Sequence, residues 1–198
     1  MVKIHLQTNT ENKETIKNFF AEAFFNDPYY KHVIAKDVER KEKTQAIFEL
    51  AFNIGLKYGK IFLNENKTSA AIWLPPHTHI NILQAFGCGA LNMFFSMGIT
   101  NALKVKEMAE HIEAARTKSI HTNHWYLMIF AVHPQAHGKG IGSAMLKYCM
   151  NNLKTSGESF YLETFNRDNL GFYQRHGFQT VHEISLKDKP VFWTMKYE

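Results

Sequence analysis

Three groups of residues in the last third of the chain have types and spacings that can do chemistry. The first is His137-Gly138-Lys139-Gly140-Ile141-Gly142-Ser143, placed after an apolar run and before a helical pattern. A helix start presents unpaired amides and a partial positive charge, which together bind phosphate oxygens. Glycines there let the main chain approach an anion with no Cβ in the way. The G-x-G-x-G spacing is neither the dinucleotide G-x-G-x-x-G nor the phosphate loop G-x-x-x-x-G-K-[ST], because no Lys follows the last glycine. On its own the segment is either a phosphate cradle or a tight turn.

The second and third groups are Glu163, at the end of Tyr161-Leu162-Glu163-Thr164, and Tyr173, in Phe172-Tyr173-Gln174-Arg175-His176-Gly177-Phe178. A carboxylate ending an apolar strand is costly unless paired, solvated or put to use, so Glu163 is a candidate base with structural pairing as its alternative. Tyr173 is either a core aromatic with a satisfied hydroxyl or an acid. The histidine pairs His121/His124 and His133/His137 lack a carboxylate or Cys to complete a metal set, and no metal is expected. Cys88 and Cys149, the only two cysteines, have no nucleophile context and exclude a disulfide scaffold.

These groups need elements to hold them. Val2 to Gln7 alternates apolar and polar as a first strand. Thr10 and Asn12 are N-cap candidates for a helix carrying Ile16, Phe19, Phe20 and Ala23, which Asp27-Pro28 ends. A second helix through Ile47, Leu50, Ala51, Ile54 and Tyr58 stops at Gly59. Strands Lys60–Leu63 and Ala70–Leu74 form a hairpin closed by Pro75-Pro76. No charged residue stands between Pro75 and Leu103. That length would cross a bilayer, yet Asn81, Gln84, Asn92, Ser96 and Thr100 keep a polar stripe and Gly87, Gly89 and Gly98 interrupt it. Buried or pocket-lining helices are therefore expected in place of a membrane span.

Trp125 to Val132 is apolar without a break and predicts a strand covered on both faces. Gly138 to Lys154 follows as a helix with Ile141, Met145, Tyr148 and Cys149 on its apolar face. Ser159–Thr164 is a further strand, Asp168 caps a short helix ending at Gly177, and strands around Thr180–Leu186 and Val191–Lys196 close the chain. This order predicts a single α/β layer domain over residues 1–198, with a helical insert over about residues 77–120.

With 198 residues, 45% hydrophobic and 21% charged, the chain can bury a core and is too apolar for disorder. Its net charge of +5 is dispersed, and the densest run, Lys36 to Lys43, alternates with acids like a solvated helix face. That excludes a nucleic-acid stripe but suits an anionic small molecule. Met1 to Leu6 reads against a secretory signal, so a cytoplasmic protein is expected.

Together the two motif stretches resemble the GNAT acetyltransferase superfamily. Val132-His133-Pro134 and His137 to Gly142 match its V-x-P and [QR]-x-x-G-x-[GA] segment, with His137 where the family usually has Gln or Arg. Asn169 through Phe178 matches its Asn before F-Y-x-x-x-G-F. Within the superfamily the likeness is to puromycin N-acetyltransferase-like members and takes in Ala70-Ala71-Ile72-Trp73 and the insert. The resemblance implies a central mixed, mostly antiparallel twisted sheet flanked by helices, the helical insert preceding the fourth strand. It also implies acetyl-CoA as co-substrate, an acyltransferase acting on a small amine, and no nucleic-acid partner; assembly as a homodimer is left open.

By the same resemblance, Phe130, Ala131 and Val132 present strand-edge groups to the pantetheine arm. The amides of Gly138, Lys139, Gly140, Ile141, Gly142 and Ser143 cradle the pyrophosphate after His137, Asn169 hydrogen-bonds the cofactor, and Tyr173 stands near its sulfur. Glu163 matches a carboxylate that serves some members as base. The acceptor wall falls on Phe24 to Tyr30, His79 to Met97 and His124-Trp125, with Phe25, Tyr29, Tyr30 and Trp125 as candidate contacts. An aliphatic amine titrates near ~10 and must lose a proton before attack, while a phenol at ~10 protonates a thiolate of ~8.5 at little cost. The alternative function is a catalytically silent acyl-CoA-binding or sensing module.

Overall fold

The computed structural model describes residues 2–154 and 158–198. Strand β1 (Ile4–Gln7) leads into helices α1 (Lys13–Ala23), α2 (Pro28–Val33) and α3 (Asp37–Tyr58), then hairpin strands β2 (Lys60–Asn64) and β3 (Ser69–Leu74). The insert is three helices, α4 (Ile82–Gly87), α5 (Ala90–Met97) and α6 (Ile99–Ser119). Then come β4 (His124–Val132), α7 (Ile141–Leu153), β5 (Ser159–Thr164), α8 (Leu170–Gln174), β6 (Gln179–Ile184) and β7 (Phe192–Tyr197). The seven strands lie in the order β1-β2-β3-β4-β5-β7-β6. Every neighbouring pair is antiparallel except β4 with β5. This is the mixed, mostly antiparallel sheet expected, with helices on both faces.

Parity decides which helix each strand residue meets. Ile61, Leu63 and Ile72 face Ile16, Phe20, Phe48 and Phe52 of α1 and α3. Phe62, Ala71, Trp73, Leu127, Phe160 and Leu162 face Met145, Leu146, Cys149 and Leu153 of α7. On α7 the buried stripe includes Leu146, Met150 and Leu153 beyond the residues expected, while Ile141 and Tyr148 are only half-buried.

Gly59, where α3 stops, shows how closely the layers approach. A Cβ there would lie 2.3 Å from the carbonyl oxygen of Trp73, and backbone cannot withdraw as a flexible side chain can. Gly59→Ala is expected to lower stability by roughly 2–3 kcal/mol, measured as a fall in the denaturant midpoint at unchanged slope. A midpoint equal to wild type would mean that β3 and α3 are not packed this closely.

Several local expectations change in three dimensions. Asp27-Pro28 does more than end a helix: the Asp27 carboxylate accepts from the Tyr29 N–H at 2.9 Å and caps α2, with Pro28 in its first turn. Asn12 stands at the start of α1 without capping it, because its amide donates to Gln7 Oε1 at 2.8 Å. Asn166, and not Asp168, caps the turn before α8, accepting from the Asp168 N–H at 3.0 Å.

Arg40, inside the charged run read as solvated, is 2% exposed. Its guanidinium donates to the carbonyls of Ile34 and Ala35 and to the Asp37 carboxylate. The insert, expected as buried or pocket-lining helices, is buried only in part. Cys88, Met93 and Met97 are buried, but Leu83, Phe95 and Ile99 are exposed. Among the described residues no helix is long and apolar enough to cross a membrane.

Candidate active site

The site is made by a fault in the sheet. On β4, Leu127 pairs with Trp73 and Ile129 with Ile72, leaving Met128 as an extra residue, a β-bulge. On the other edge, the parallel pairing of β4 with β5 ends at Leu127↔Leu162, although both strands continue. From Met128 to Val132, β4 therefore has no partner on that side, and its main-chain groups face a gap.

Two cavities occupy the gap. The larger, about 490 Å³, is lined by the end of β4, the glycine turn and residues of the α8 segment. The smaller, about 280 Å³, lies between α2, α3, α6 and the strands and reaches Glu163. Phe24, Asp27, Phe130, Asn169 and Tyr173 line both. A group held at the inner end of one cavity thus meets a group held in the other.

The glycine turn fits an anion. Gly138 and Gly140 have φ of 73° and 72°, with no atom within 4 Å of where a Cβ would stand. These left-handed conformations strain other residues, and the open space lets a ligand come close to the main chain. A Cβ on Gly142 would come 3.2 Å from the Val132 side chain, so the first turn of α7 packs tightly on β4. His137 Nε2 donates to the Val132 carbonyl at 2.9 Å, which ties the turn to the strand and occupies that carbonyl.

Of the residues expected around a nucleotide cofactor, all line the larger cavity except Lys139, whose Nζ donates outward to the Gln135 carbonyl at 3.0 Å. Asn169 donates to Thr164 Oγ1 at 3.2 Å. Arg175, quoted in the motif but given no role there, also lines this cavity and adds its only lysine or arginine side chain among the described residues. The available signal was a cation two residues after Tyr173.

In the smaller cavity, Tyr29 and Tyr30 are present, while Phe25 and Trp125 are not. Phe25 lies under the Arg40 guanidinium, 5.1 Å from its ring centre. Trp125 points to the α7 side of the sheet and donates to Glu158 Oε2 at 3.0 Å. The opposite wall comes from α3 and α6, including Ile54, Val105 and Ile112, which residue-type reasoning did not single out.

Glu163 shares its sheet face with Tyr161 and Tyr126, which are adjacent in the β4–β5 register. Its Oε1 is buried with no hydrogen-bond partner among the described residues. Burial pushes its carboxyl up to about 7, against the opposing pull of the Tyr161 and Tyr126 phenols and the Arg116 guanidinium. Arg116 lies over the Tyr126 ring at 4.8 Å and is paired with Glu113 at 2.5 Å. Asp27 is likewise raised by burial, to about 6, against the backbone N–H groups of Tyr29 and Tyr30.

Tyr173 is buried against Phe130, Phe172 and Phe178. Burial holds its phenol above the ordinary range, and the Asp27 charge adds to the shift. Histidines and carboxylates do not gather elsewhere: among the described residues no group of three His, Cys, Asp or Glu could hold a metal ion.

Residues 104–180 match the family described as Acetyltransferase (GNAT) domain, a stretch from α6 into β6 that contains the glycine turn, Glu163 and Tyr173. The whole chain is similar to solved structures. A Corynebacterium glutamicum protein named histone acetyltransferase HPA2 and related acetyltransferase has 23% identity and a TM-score of 0.71 over 98% of this chain and 94% of that one. Arylalkylamine N-acetyltransferase 2 from Aedes aegypti has 11% identity and a TM-score of 0.61 over 98% and 97%. The ribosomal-protein-S18-alanine N-acetyltransferase from Escherichia coli has 15% identity and a TM-score of 0.53 over 100% and 93%. At these identities the likeness is one of fold. Residues 104–180 are thus similar to the Acetyltransferase (GNAT) domain family, within a chain whose whole length shares the fold of these structures.

Proposed function

We propose that the chain is an N-acetyltransferase that moves an acetyl group from acetyl-CoA to a small primary amine by direct attack. The observation that carries this reading is the common wall of the two cavities, which joins the Gly138–Gly140 turn to a mostly apolar pocket containing the raised carboxyl of Glu163. Acetyl-CoA supplies the activated acetyl thioester. The amides from Gly138 to Ser143 hold its diphosphate, with the Arg175 guanidinium as an additional cation on the same wall. The unpaired edge of β4 offers main-chain groups to the pantetheine arm and an N–H to the carbonyl oxygen as charge develops there.

Glu163 takes the amine proton, directly or through a water, because a carboxyl titrating near 7 is matched to neutral pH. Tyr173 faces the sulfur. Its burial makes it a weaker acid than an exposed phenol, so it serves first as a hydrogen-bond donor and yields its proton only as the sulfur becomes charged. The smaller cavity, near the lower end of the roughly 300–1,000 Å³ usual for small-molecule pockets, favours a compact acceptor. The likeness to puromycin N-acetyltransferase-like members names no acceptor.

Thiol release from acetyl-CoA, followed across arylalkyl amines, polyamines, aminoglycosides and peptides, tests the reading. Turnover with at least one small amine is expected. Tyr173→Phe should lower kcat roughly tenfold or more with CoA affinity unchanged. CoA binding with no turnover on any amine would point instead to an acyl-CoA sensing module.

A further inference from the structure

We propose that Asp27 is the carboxylate that receives the acceptor, binding its ammonium group where the smaller cavity opens into the cofactor cleft. This rests on the reading of the chain as an amine acetyltransferase and adds a residue and a charge requirement to it. Asp27 lies outside the stretch that matches the acetyltransferase domain; it falls within the Phe24 to Tyr30 stretch expected on the acceptor wall, where its own type and spacing marked it only as a helix boundary.

Placement argues first. Glu163 lines the smaller cavity only, whereas Asp27 lines both. An amine nitrogen about to attack a group in the larger cavity must stand at their junction, beside Asp27 and Tyr173. The position of Asp27 is set by the chain itself: its carboxylate caps α2 through the Tyr29 N–H, so the side chain is fixed before any ligand arrives.

Charge argues second. Among the described residues, the smaller cavity is lined by Asp27 and Glu163 and by no Lys, Arg or His. Glu163 keeps an unpartnered oxygen there, and no basic side chain pairs with Asp27 among the described residues. The remaining wall is mostly apolar and aromatic, including Phe24, Tyr29, Tyr30 and Phe130. Glu163 has the Arg116 guanidinium acting on it from outside the cavity, but Asp27 in such surroundings lacks a counter-ion that a cationic ligand would supply. That both carboxyls are raised by burial is consistent with this.

The division of labour follows from the two positions. Asp27 holds the nitrogen at the junction and Glu163, which lines the acceptor cavity only, takes its proton directly or through a water. The acceptor class is therefore an amine that is protonated in solution and carries a compact apolar body. Neutral isosteres of such an amine are excluded.

Calorimetric titration of phenethylamine and butylamine decides the matter, with the protein alone and with CoA present so that no acetyl group can transfer. Asp27→Asn and Asp27→Ser both keep an oxygen to cap α2, so loss of fold does not confuse the result. Both variants should bind at least one of the amines ten times more weakly or worse, with CoA affinity within about twofold of wild type. Phenethyl alcohol should bind wild type at least tenfold more weakly than phenethylamine. Unchanged amine affinity in the variants, equal affinity for amine and alcohol, or no binding of either amine to wild type overturns the proposal. Failure of wild type to bind CoA would overturn the acetyltransferase reading, while titration of the protein alone still decides the role of Asp27.

Discussion

Glu163→Gln is expected to lower acetyl transfer about 100-fold or more and, at the same time, to stabilise the protein above neutral pH. The rate loss follows from removing a general base, worth roughly 10²–10⁴ in comparable sites. Its pH signature is specific. The wild-type rate should fall as pH drops below about 7, where Glu163 takes up its proton, and the variant should lack that limb. The charged and titratable groups facing Glu163 are Tyr161, Tyr126, Arg116 and Glu113. The phenols stay protonated and the guanidinium stays charged through this range; Asp27, which lines the same cavity and titrates near 6, adds a second limb that Glu163→Gln retains, so the limb near 7 is the one assigned to Glu163.

The stability effect has the opposite sign to that of an ordinary paired carboxylate. In the folded state the carboxyl titrates near 7, above its ordinary 4.5. Below pH 4.5 both states carry the proton and nothing is lost. Between 4.5 and 7 the unfolded chain has released it and the folded chain has not, so stability falls as pH rises. Above 7 the full cost of burying the charge remains, about 3 kcal/mol from that separation. Glu163→Gln removes the ionisation, so its stability relative to wild type should improve by about 2–3 kcal/mol between pH 4.5 and pH 8. Denaturant unfolding of both proteins at the two pH values measures this. A variant as active as wild type would take Glu163 out of the proton path; a stability difference independent of pH would mean that its charge is not buried at a cost.

What could be read beforehand divides along physical lines. Strand β5 spans the residues its pattern predicted, Ser159–Thr164, because a run of apolar and β-favouring residues bounded by turns has one way to pack. The turn at Gly138 and Gly140 was equally legible, since positive φ restricts the residue types that can stand there. Trp125 was misplaced because the face on which a strand residue lands depends on register. One residue's difference in parity exchanges the α7 side for the acceptor side. Near it, the Met128 bulge then reverses the alternation, and no local signal announces a bulge.

Asp27 lay inside the Phe24 to Tyr30 stretch expected on the acceptor wall, but its carboxylate was not singled out, for a related reason. Asp-Pro is a stop signal for the helix before it and a start signal for the helix after it. Only the packing of α2 shows that the same carboxylate ends up between two cavities. Arg40 has the composition of a solvated residue, and its burial depends on carbonyls of Ile34 and Ala35 that the chain turns toward it. Chemistry carried by one segment was visible; chemistry assembled across segments was not.

The second large effect tests the cradle itself. Replacing both Gly138 and Gly140 by Ala is expected to weaken CoA binding by about 30-fold or more, with the protein still folded and its stability lowered by no more than roughly 2–4 kcal/mol. Neither Cβ meets a protein atom within 4 Å, so no clash in the core opposes the change. The cost is conformational: a left-handed residue other than Gly carries roughly 1–2 kcal/mol, and two such positions stand here with φ of 73° and 72°. The turn has two ways to respond. If it keeps its shape, the new methyl groups project into the open space where an anion must approach the amides. If it relaxes to negative φ, those amides turn away, and each lost hydrogen bond to a charged group weakens binding by about 1.5–3 kcal/mol. Both responses weaken CoA, while α7, anchored by Met145, Leu146 and Cys149 in the core, stays folded. Calorimetry with CoA and with dephospho-CoA reads the effect, and both ligands should weaken alike because the diphosphate is common to them. Retention of wild-type CoA affinity in the double variant would show that the diphosphate is held elsewhere, and with it the phosphate-binding role assigned to this turn would go.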